Sequence, residues 1–405
     1  MFSKFQRFWI TVLTACAILS GTLISDMPAE KPRTDFDRCK NVIFMIGDGM
    51  GFNSLNKTKA EKGVSLAMDT FPLQGRSKTR SANDIVTDSA AGGTALSSAI
   101  RTNNSFVGVY GYDGYNRVSH PMNLCELAKS QGKLAGVVTT DSTSGATPAS
   151  FSAHAHDRGD EADITGQQLN GDLDLIWGTA TASFSAETAE QNGLTCIYNK
   201  ADMDALTEGT RSFGQFTDAV WHTEALSGMP TITEMTLKAI DLLDDDEDGF
   251  FLMVEGAHID KNNHSNNAEG MEDALVAFDL AVQAALDYAA ADGDTLVIVT
   301  ADHETGGITL KDGEYVYTTG GHSGVNVPLL VYGCDDFIEN GQAIKNKEVA
   351  RRVACVMGEK NFPIRVEQPG ADLDFVKEWD PFEPVGTALE YVYAVCDYLV
   401  QLITD

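Results

Sequence analysis

Short apolar runs that stop abruptly on a polar residue recur along this chain of 405 residues. Asn41-Val42-Ile43-Phe44-Met45-Ile46 leads into Gly47-Asp48-Gly49-Met50-Gly51, the pattern of a buried strand followed by a tight glycine-rich turn. Residues 134–139 run into Thr140-Asp141, 250–254 into Glu255-Gly256, and 296–300 into Asp302-His303. Helical periodicity fills the intervals, at 122–131, 232–243 and 271–290. Continuous apolar strands alternating with amphipathic helices predict an α/β fold, with a largely parallel central sheet and helices on both faces. Ligands of such sheets bind beyond the carboxyl ends of the strands. Four polar strand ends on one edge therefore predict one site gathered from distant sequence.

Composition narrows the possibilities. A hydrophobic share of 43% and a charged share of 22% are those of a soluble globular chain. There are 29 basic and 59 acidic side chains, a formal net charge of -30. Such a surface repels nucleic-acid backbones, so no nucleic-acid binding is expected. It repels any anionic substrate too, so a phosphate site here needs concentrated local positive charge, most simply from metal ions.

The first 25 residues read as a signal peptide. Lys4 and Arg7 precede a mostly apolar run that meets its first acid at Asp26, too short and too early for a convincing membrane span. Secretion or a periplasmic location follows as an expectation. Leu13-Thr14-Ala15-Cys16 resembles a lipoprotein box, and membrane attachment is expected only through a lipid anchor at Cys16. Six cysteines remain after that segment: Cys39, Cys125, Cys196, Cys334, Cys355 and Cys396. An exported chain can pair them, and none stands in a CxxC pair of the kind that holds zinc. The last strand-helix unit ends near Gly358. Residues 359–405 form an extension, irregular and proline-bearing at first, then amphipathic through Leu389, Val392, Tyr393, Cys396, Leu399, Val400 and Ile403.

Six segments carry candidate chemistry. Besides Gly47-Asp48-Gly49 there is Val86-Thr87-Asp88-Ser89-Ala90-Ala91-Gly92-Gly93-Thr94, which places Ser89 where a loop enters a small-residue helix. A serine there is ordinarily just a helix cap. Ala146-Thr147-Pro148-Ala149-Ser150 leads to His154, His156 and Arg158. Glu255 precedes Asp260-Lys261-Asn262-Asn263-His264, where a carboxylate and an imidazole four apart share one face of a helical turn. Asp302-His303 ends a strand, and His322 stands in Gly320-Gly321-His322-Ser323-Gly324. Any one histidine here could be structural; the combination of imidazoles, acids and a serine in these settings points to a metal-assisted reaction.

Taken together, in this order, these segments resemble the motifs of the alkaline phosphatase family from about residue 40 to residue 358. The resemblance implies that family's three-layer sandwich over 40–358 and hydrolysis of small phosphate monoesters through a phosphoserine. It implies two zinc ions, one held by Asp260, His264 and His322 and the other by Asp48, Asp302 and His303. A magnesium ion would take Asp48, Thr147 and Glu255. Ser89 would be the nucleophile, Arg158 the phosphate clamp and Lys261 a water-mediated phosphate contact. Relatives are often dimers, so the resemblance admits a homodimer.

One position departs from the pattern. Just before Ala146-Thr147-Pro148 the family usually places Asp or His, and here Gly145 stands instead. A third metal site that is intact but weaker for magnesium is the expectation. The segment 307–322 is short, which predicts an open mouth to the site. Asp244, Asp246, Asp248, Gly249 and Glu255 match the spacing of an EF-hand, but the apolar run 250–254 reads as a strand where that motif needs a helix. Rival readings fare less well. A sulfatase needs a modifiable Cys or Ser followed by Pro and Arg, which Asp88-Ser89-Ala90-Ala91 lacks. A diesterase has little use for an arginine clamp on free phosphate oxygens. An inactive phosphate-binding protein has no need of a complete nucleophile and ligand set.

Overall fold

The computed structural model describes residues 35–111 and 119–367. The signal-peptide segment with Cys16, the amphipathic stretch of the C-terminal extension and Cys396 lie outside the described residues. Ten strands build the central sheet: β1 Asn41–Gly47, β2 Leu73–Lys78, β3 Leu134–Ser142, β4 Leu175–Thr179, β5 Thr195–Ile197, β6 Ser212–Phe216, β7 Phe250–Gly256, β8 Thr295–Thr300, β9 Val327–Tyr332 and β10 Ala343–Lys345. Their spatial order is β10-β2-β9-β8-β1-β7-β3-β4-β6-β5. All neighbours are parallel except β9, which runs antiparallel to both β8 and β2. The α/β sandwich with a largely parallel sheet is thus the observed fold.

The apolar runs are continuous because both faces of the sheet are covered. Along β1, Ile43 and Met45 enter one core while Val42, Phe44 and Ile46 enter the other. Phe250, Leu252 and Val254 of β7 face the first, and Phe251 and Met253 the second. Truncating a fully buried ring such as Phe44 to alanine costs roughly 3–5 kcal/mol in a packed interior. The first core is closed by the helices Ile232–Leu243 and Ala268–Asp292. Thr231 and Glu234 form a capping box at the start of the former. Asn267 caps the latter, which ends where Gly293 turns left-handed and donates back to Ala289. Leu124–Ser130 and Asn346–Val356 cover the opposite face.

Strand register positions the site. Ile46 of β1 lies level with Glu255 of β7 and with Thr300 of β8, and Glu255 lies level with Thr139 of β3. The four central strands therefore finish in one row. Asp48, Asp302 and Asp141 each stand two residues past that row.

The acids that mimic an EF-hand form the turn before β7, with Asp248 N–H donating to Asp246 Oδ1 at 2.8 Å, and Glu255 sits inside the strand. Segment 307–322 carries a small hairpin, Thr309–Lys311 with Glu314–Val316. Past Gly358 the chain is not wholly irregular, since Arg365–Glu367 pairs antiparallel with Ser119–Pro121. The cysteines Cys39, Cys125, Cys196, Cys334 and Cys355 are all free thiols.

Candidate active site

At the row of strand ends the chain must turn sharply without blocking its own ligands. Gly49 does so with φ +68, and a Cβ there would lie 2.8 Å from Asp260 Oδ1 and from Thr305 Oγ1. Its N–H donates to Asp302 Oδ1 at 3.3 Å, as does that of His303 at 3.0 Å. Two backbone donors thus hold one oxygen of Asp302, leaving Oδ2 for the site.

Two imidazole-bearing clusters result. Asp48, Asp302 and His303 are all buried and offer donor atoms within 4.8 Å of one another. His303 Nε2 is 3.1 Å from Asp302 Oδ2 and 3.5 Å from Asp48 Oδ1. In the second cluster, His264 Nε2 is 3.2 Å from Asp260 Oδ2 and 3.1 Å from His322 Nε2, which lies 3.8 Å from Asp260 Oδ1. The His303 and His322 rings stack at 3.6 Å, so the clusters are contiguous. In the second cluster the far ring nitrogen of each histidine is anchored. His322 Nδ1 meets the Thr87 carbonyl at 3.0 Å and His264 Nδ1 the Gly320 carbonyl at 2.7 Å. Carbonyls accept only, so each ring carries a proton on Nδ1 and turns Nε2 inward, the orientation a metal ligand requires, and the hydrogen bond to Asp260 raises His264 to about 9. Thr305 Oγ1 donates to Asp260 Oδ1 at 2.5 Å and lies 3.2 Å from His303 Nδ1, linking the two clusters.

Ser89 stands between them. Asp88, not Ser89, caps the helix Ser89–Ser98 by accepting from Ala91 N–H at 2.9 Å. The serine hydroxyl is therefore spared that task and lies 3.1 Å from His303 Nε2. The other oxygen of Asp88 accepts from Ser105 N–H at 2.8 Å and pairs with Arg158 Nη1 at 3.4 Å. Arg158 is thereby held beside the serine while 39% of its side chain stays exposed, the disposition of a group that waits for an anion.

The third group contains only oxygens. Glu255 is fully buried and Thr147 nearly so, and the Glu255 charge is felt at Asp48. Thr139 Oγ1 donates to Glu255 Oε2. Asp48 Oδ1, Thr147 Oγ1, Glu255 Oε1 and Asp302 Oδ2 are buried without a hydrogen-bond partner among the described residues. Of these, Asp48, Glu255 and Asp302 act on one another's charge, and orphaned buried carboxylate oxygens set so close are rare in a folded protein and fit divalent cations coordinated there. Electrostatics agrees. Burial, then the nearby charges of Asp302, Asp260 and Glu255, raises the Asp48 carboxyl well above its ordinary value. Burial and then Asp141 push Glu255 up to about 8. Burial pushes Asp260 up as well, but His264, His303 and Thr305 outweigh it and bring it to about 2. Acids crowded this closely ionise together only beside concentrated positive charge.

The structure brings together Asp48, Ser89, Arg158, Glu255, Asp260, Lys261, His264, Asp302, His303 and His322, and places Thr147 buried with an unpartnered hydroxyl. It also gives partners to residues for which the sequence named no specific task, Asp141 among them as one of the predicted strand ends. Asp141 accepts a charged hydrogen bond from Lys261. Its Oδ2 lies 2.5 Å from where a Cβ on Gly145 would be. Asp141, at the strand end four residues earlier, thus occupies the space into which a side chain at 145 would project. The signal was present, a polar residue closing the apolar run of β3, but nothing local ties 141 to 145. Thr305, Thr139 and Asp88 were invisible for the same reason, since their partners lie far away in sequence.

The protein-family model described as Alkaline phosphatase matches residues 39–184 and 173–349. Alkaline phosphatase 3 of Bacillus subtilis (strain 168) is 34% identical over 333 residues, covering 76% of this chain and 71% of its own. This chain belongs to the alkaline phosphatase family. The Escherichia coli (strain K12) alkaline phosphatase is 32% identical over 349 residues, 69% of this chain and 71% of the relative. Among solved structures, the alkaline phosphatase of the Antarctic bacterium TAB5 superposes with a TM-score of 0.71 at 33% identity, covering 80% of this chain and 99% of that one. A mutant of that enzyme was solved with Mg bound in the M3 site. The chain is a phosphatase, and its family supports action on phosphate monoesters.

Proposed function

We propose that this alkaline phosphatase hydrolyses small phosphate monoesters through a covalent phosphoserine on Ser89, served by two zinc ions and one magnesium ion. The observation that carries this reading is the position of Ser89 Oγ, 3.1 Å from His303 Nε2 where the two imidazole clusters meet. Asp260, His264 and His322 would hold one zinc, Asp48, Asp302 and His303 the other. Asp48, Thr147 and Glu255 would hold magnesium, with the Asp141–Lys261 pair beside them in place of the side chain absent at Gly145. When bound, these cations supply the positive charge that favours the serine alkoxide and a departing alkoxide.

The side chains divide the remaining work. Ser89 gives up its hydroxyl proton to solvent, its Oγ attacks phosphorus, the bond to the ester oxygen breaks, and the alcohol leaves with a proton from solvent. Water then loses a proton to solvent and attacks phosphorus, the bond to Oγ breaks, and Ser89 takes a proton back from solvent as inorganic phosphate is released. Arg158 can bind two non-bridging oxygens at once with its planar fork, and its pairing with Asp88 keeps it aimed while the site waits for substrate. Lys261 would reach phosphate through water. From the segment 1–25 we also propose export, to be checked by the N-terminal sequence of the mature chain.

The test is p-nitrophenyl phosphate hydrolysis before and after chelation, with zinc and magnesium restored separately and together. Activity should vanish on chelation and return fully only with both. In Ser89→Ala, turnover should fall at least about a thousandfold because the covalent step is lost. Phosphate trapped on any other residue would overturn the mechanism. Arg158→Ala should weaken inorganic phosphate binding and lower kcat/KM by roughly a hundredfold, and an unchanged kcat/KM removes Arg158 from the account.

A further inference from the structure

A second imidazole-carboxylate cluster lies outside the active site, under the loop that presents Arg158. His120 is on the short strand Ser119–Pro121, Glu126 in the helix Leu124–Ser130, and His154 in the loop after Ala146–Ser150. One ring nitrogen of each histidine and one Glu126 oxygen lie within 4.8 Å of one another. All three residues are half-buried.

The hydrogen bonds around these groups fix what they present. His154 Nδ1 meets the Gly108 carbonyl at 2.5 Å, so that nitrogen carries a proton. Nε2 faces Glu126 Oε1 at 2.9 Å, a contact that holds either a second proton or a metal cation; burial lowers the His154 imidazole, but the hydrogen bond and charge of Glu126 outweigh it and raise it above its ordinary value. His120 Nδ1 lies 3.3 Å from the Pro121 carbonyl, and its Nε2 has no hydrogen bond among the described residues. Glu126 is oriented as well. Its Oε2 accepts the Asn123 N–H at 2.8 Å in the capping box, leaving Oε1 for the cluster. The two rings stack with centroids 3.8 Å apart, so protonating both would set like charges face to face. A proton on His154 satisfies one pair of atoms. A single divalent ion satisfies all three donors.

We propose that His120, Glu126 and His154 form an accessory site for a borderline divalent cation of the zinc class, completed by water. Two imidazoles and a carboxylate are a donor set zinc accepts, and backbone carbonyls on the far nitrogens are its usual outer partners. The site is structural. Next to His154, Ala155 exchanges two backbone hydrogen bonds with Val107, at 2.8 and 2.9 Å, and Arg158 N–H donates to Ser105 at 2.8 Å. An ion bound here clasps that loop to the helix Leu124–Ser130 and to the strand Ser119–Pro121, and so steadies the base from which Arg158 reaches phosphate. The active-site clusters do not depend on it.

The test compares the full-length chain with its His120→Ala variant after both are loaded with zinc and dialysed against metal-free buffer. Elemental analysis should find one fewer zinc ion per chain in the variant, with p-nitrophenyl phosphate hydrolysis kept within about threefold because the active-site donors are untouched. Equal zinc content would overturn the site and leave a protonated His154–Glu126 ion pair. Should His120→Ala not fold, anomalous diffraction at the zinc edge from wild-type crystals decides. A peak between His120 and His154 supports the site, and its absence from crystals whose active-site peaks are present overturns it.

Discussion

The imidazole-bearing part of the active site and its oxygen-only part share Asp48 but are built differently. In the first, most of the aspartates and histidines are held through a second atom, by Thr87 and Gly320 carbonyls on His322 and His264, Gly49 and His303 N–H groups on Asp302, and Thr305 on Asp260, which leaves Asp48 Oδ1 and Asp302 Oδ2 for the ions. In the second, Thr147 Oγ1 and Glu255 Oε1 are buried without partners, and Gly145 leaves a gap that Asp141 fills from outside the motif. The lesson concerns preorganisation. The nitrogen-rich part holds its geometry before any cation arrives, so its metals should bind tightly. The oxygen-only part relies on the ion to satisfy its orphaned atoms and on one Asp141–Lys261 pair to keep the surroundings in order.

Breaking the preorganised part should have the largest effect. Asp302→Ala removes a ligand oxygen and frees two backbone donors, and kcat/KM should drop by roughly a thousandfold or more. Excess magnesium should not rescue it, and rescue by magnesium alone would erase the distinction between the two parts. Next comes Asp141→Asn, which keeps the shape but removes the charge facing Lys261. The magnesium concentration for half-maximal activity should rise about tenfold or more, with zinc content by elemental analysis unchanged. Gly145→Ala attacks the same arrangement from the other side. The backbone there, φ -54 and ψ 153, accepts alanine without strain, but the new Cβ meets Asp141 Oδ2 at 2.5 Å and must displace it. A severalfold rise in the magnesium requirement, roughly half the Asp141→Asn effect in logarithmic terms, is the expected result. Unchanged magnesium titrations in both variants would separate Asp141 from the third site. The smallest effect should come from Thr305→Val. Losing one hydroxyl from a cluster with several other anchors should lower zinc retention only about threefold, at the weak end of outer-partner effects.

Much of this could be read along the chain. Runs such as 41–46 and 250–254 are apolar at every position because alternate residues feed two cores, and that continuity specified parallel strands buried on both faces. The acids and imidazoles closing those runs were legible as a site because a parallel sheet collects its strand ends on one edge. Ser89 was legible through its motif, while its local setting alone suggested a cap, a task the structure gives to Asp88.

What sequence spacing could not supply was any pairing between segments that meet only after the sheet has formed. Spacing governs geometry within a turn or a strand, over a few residues. The level alignment of Ile46, Glu255, Thr139 and Thr300, the ties from Thr87 and Gly320 to histidines far along the chain, and the clustering of His120 with Glu126 and His154 depend on register and loop packing. Even Asp141, only four residues from Gly145, needed the folded structure, because the turn after β3, closed by Gly145 N–H on the Ser142 carbonyl at 2.8 Å, brings the glycine back against its carboxylate. The chain determined which chemistry is present and on which edge. Only the packed sheet decided which oxygen stands where a side chain is missing, because that depends on the path of the backbone through space.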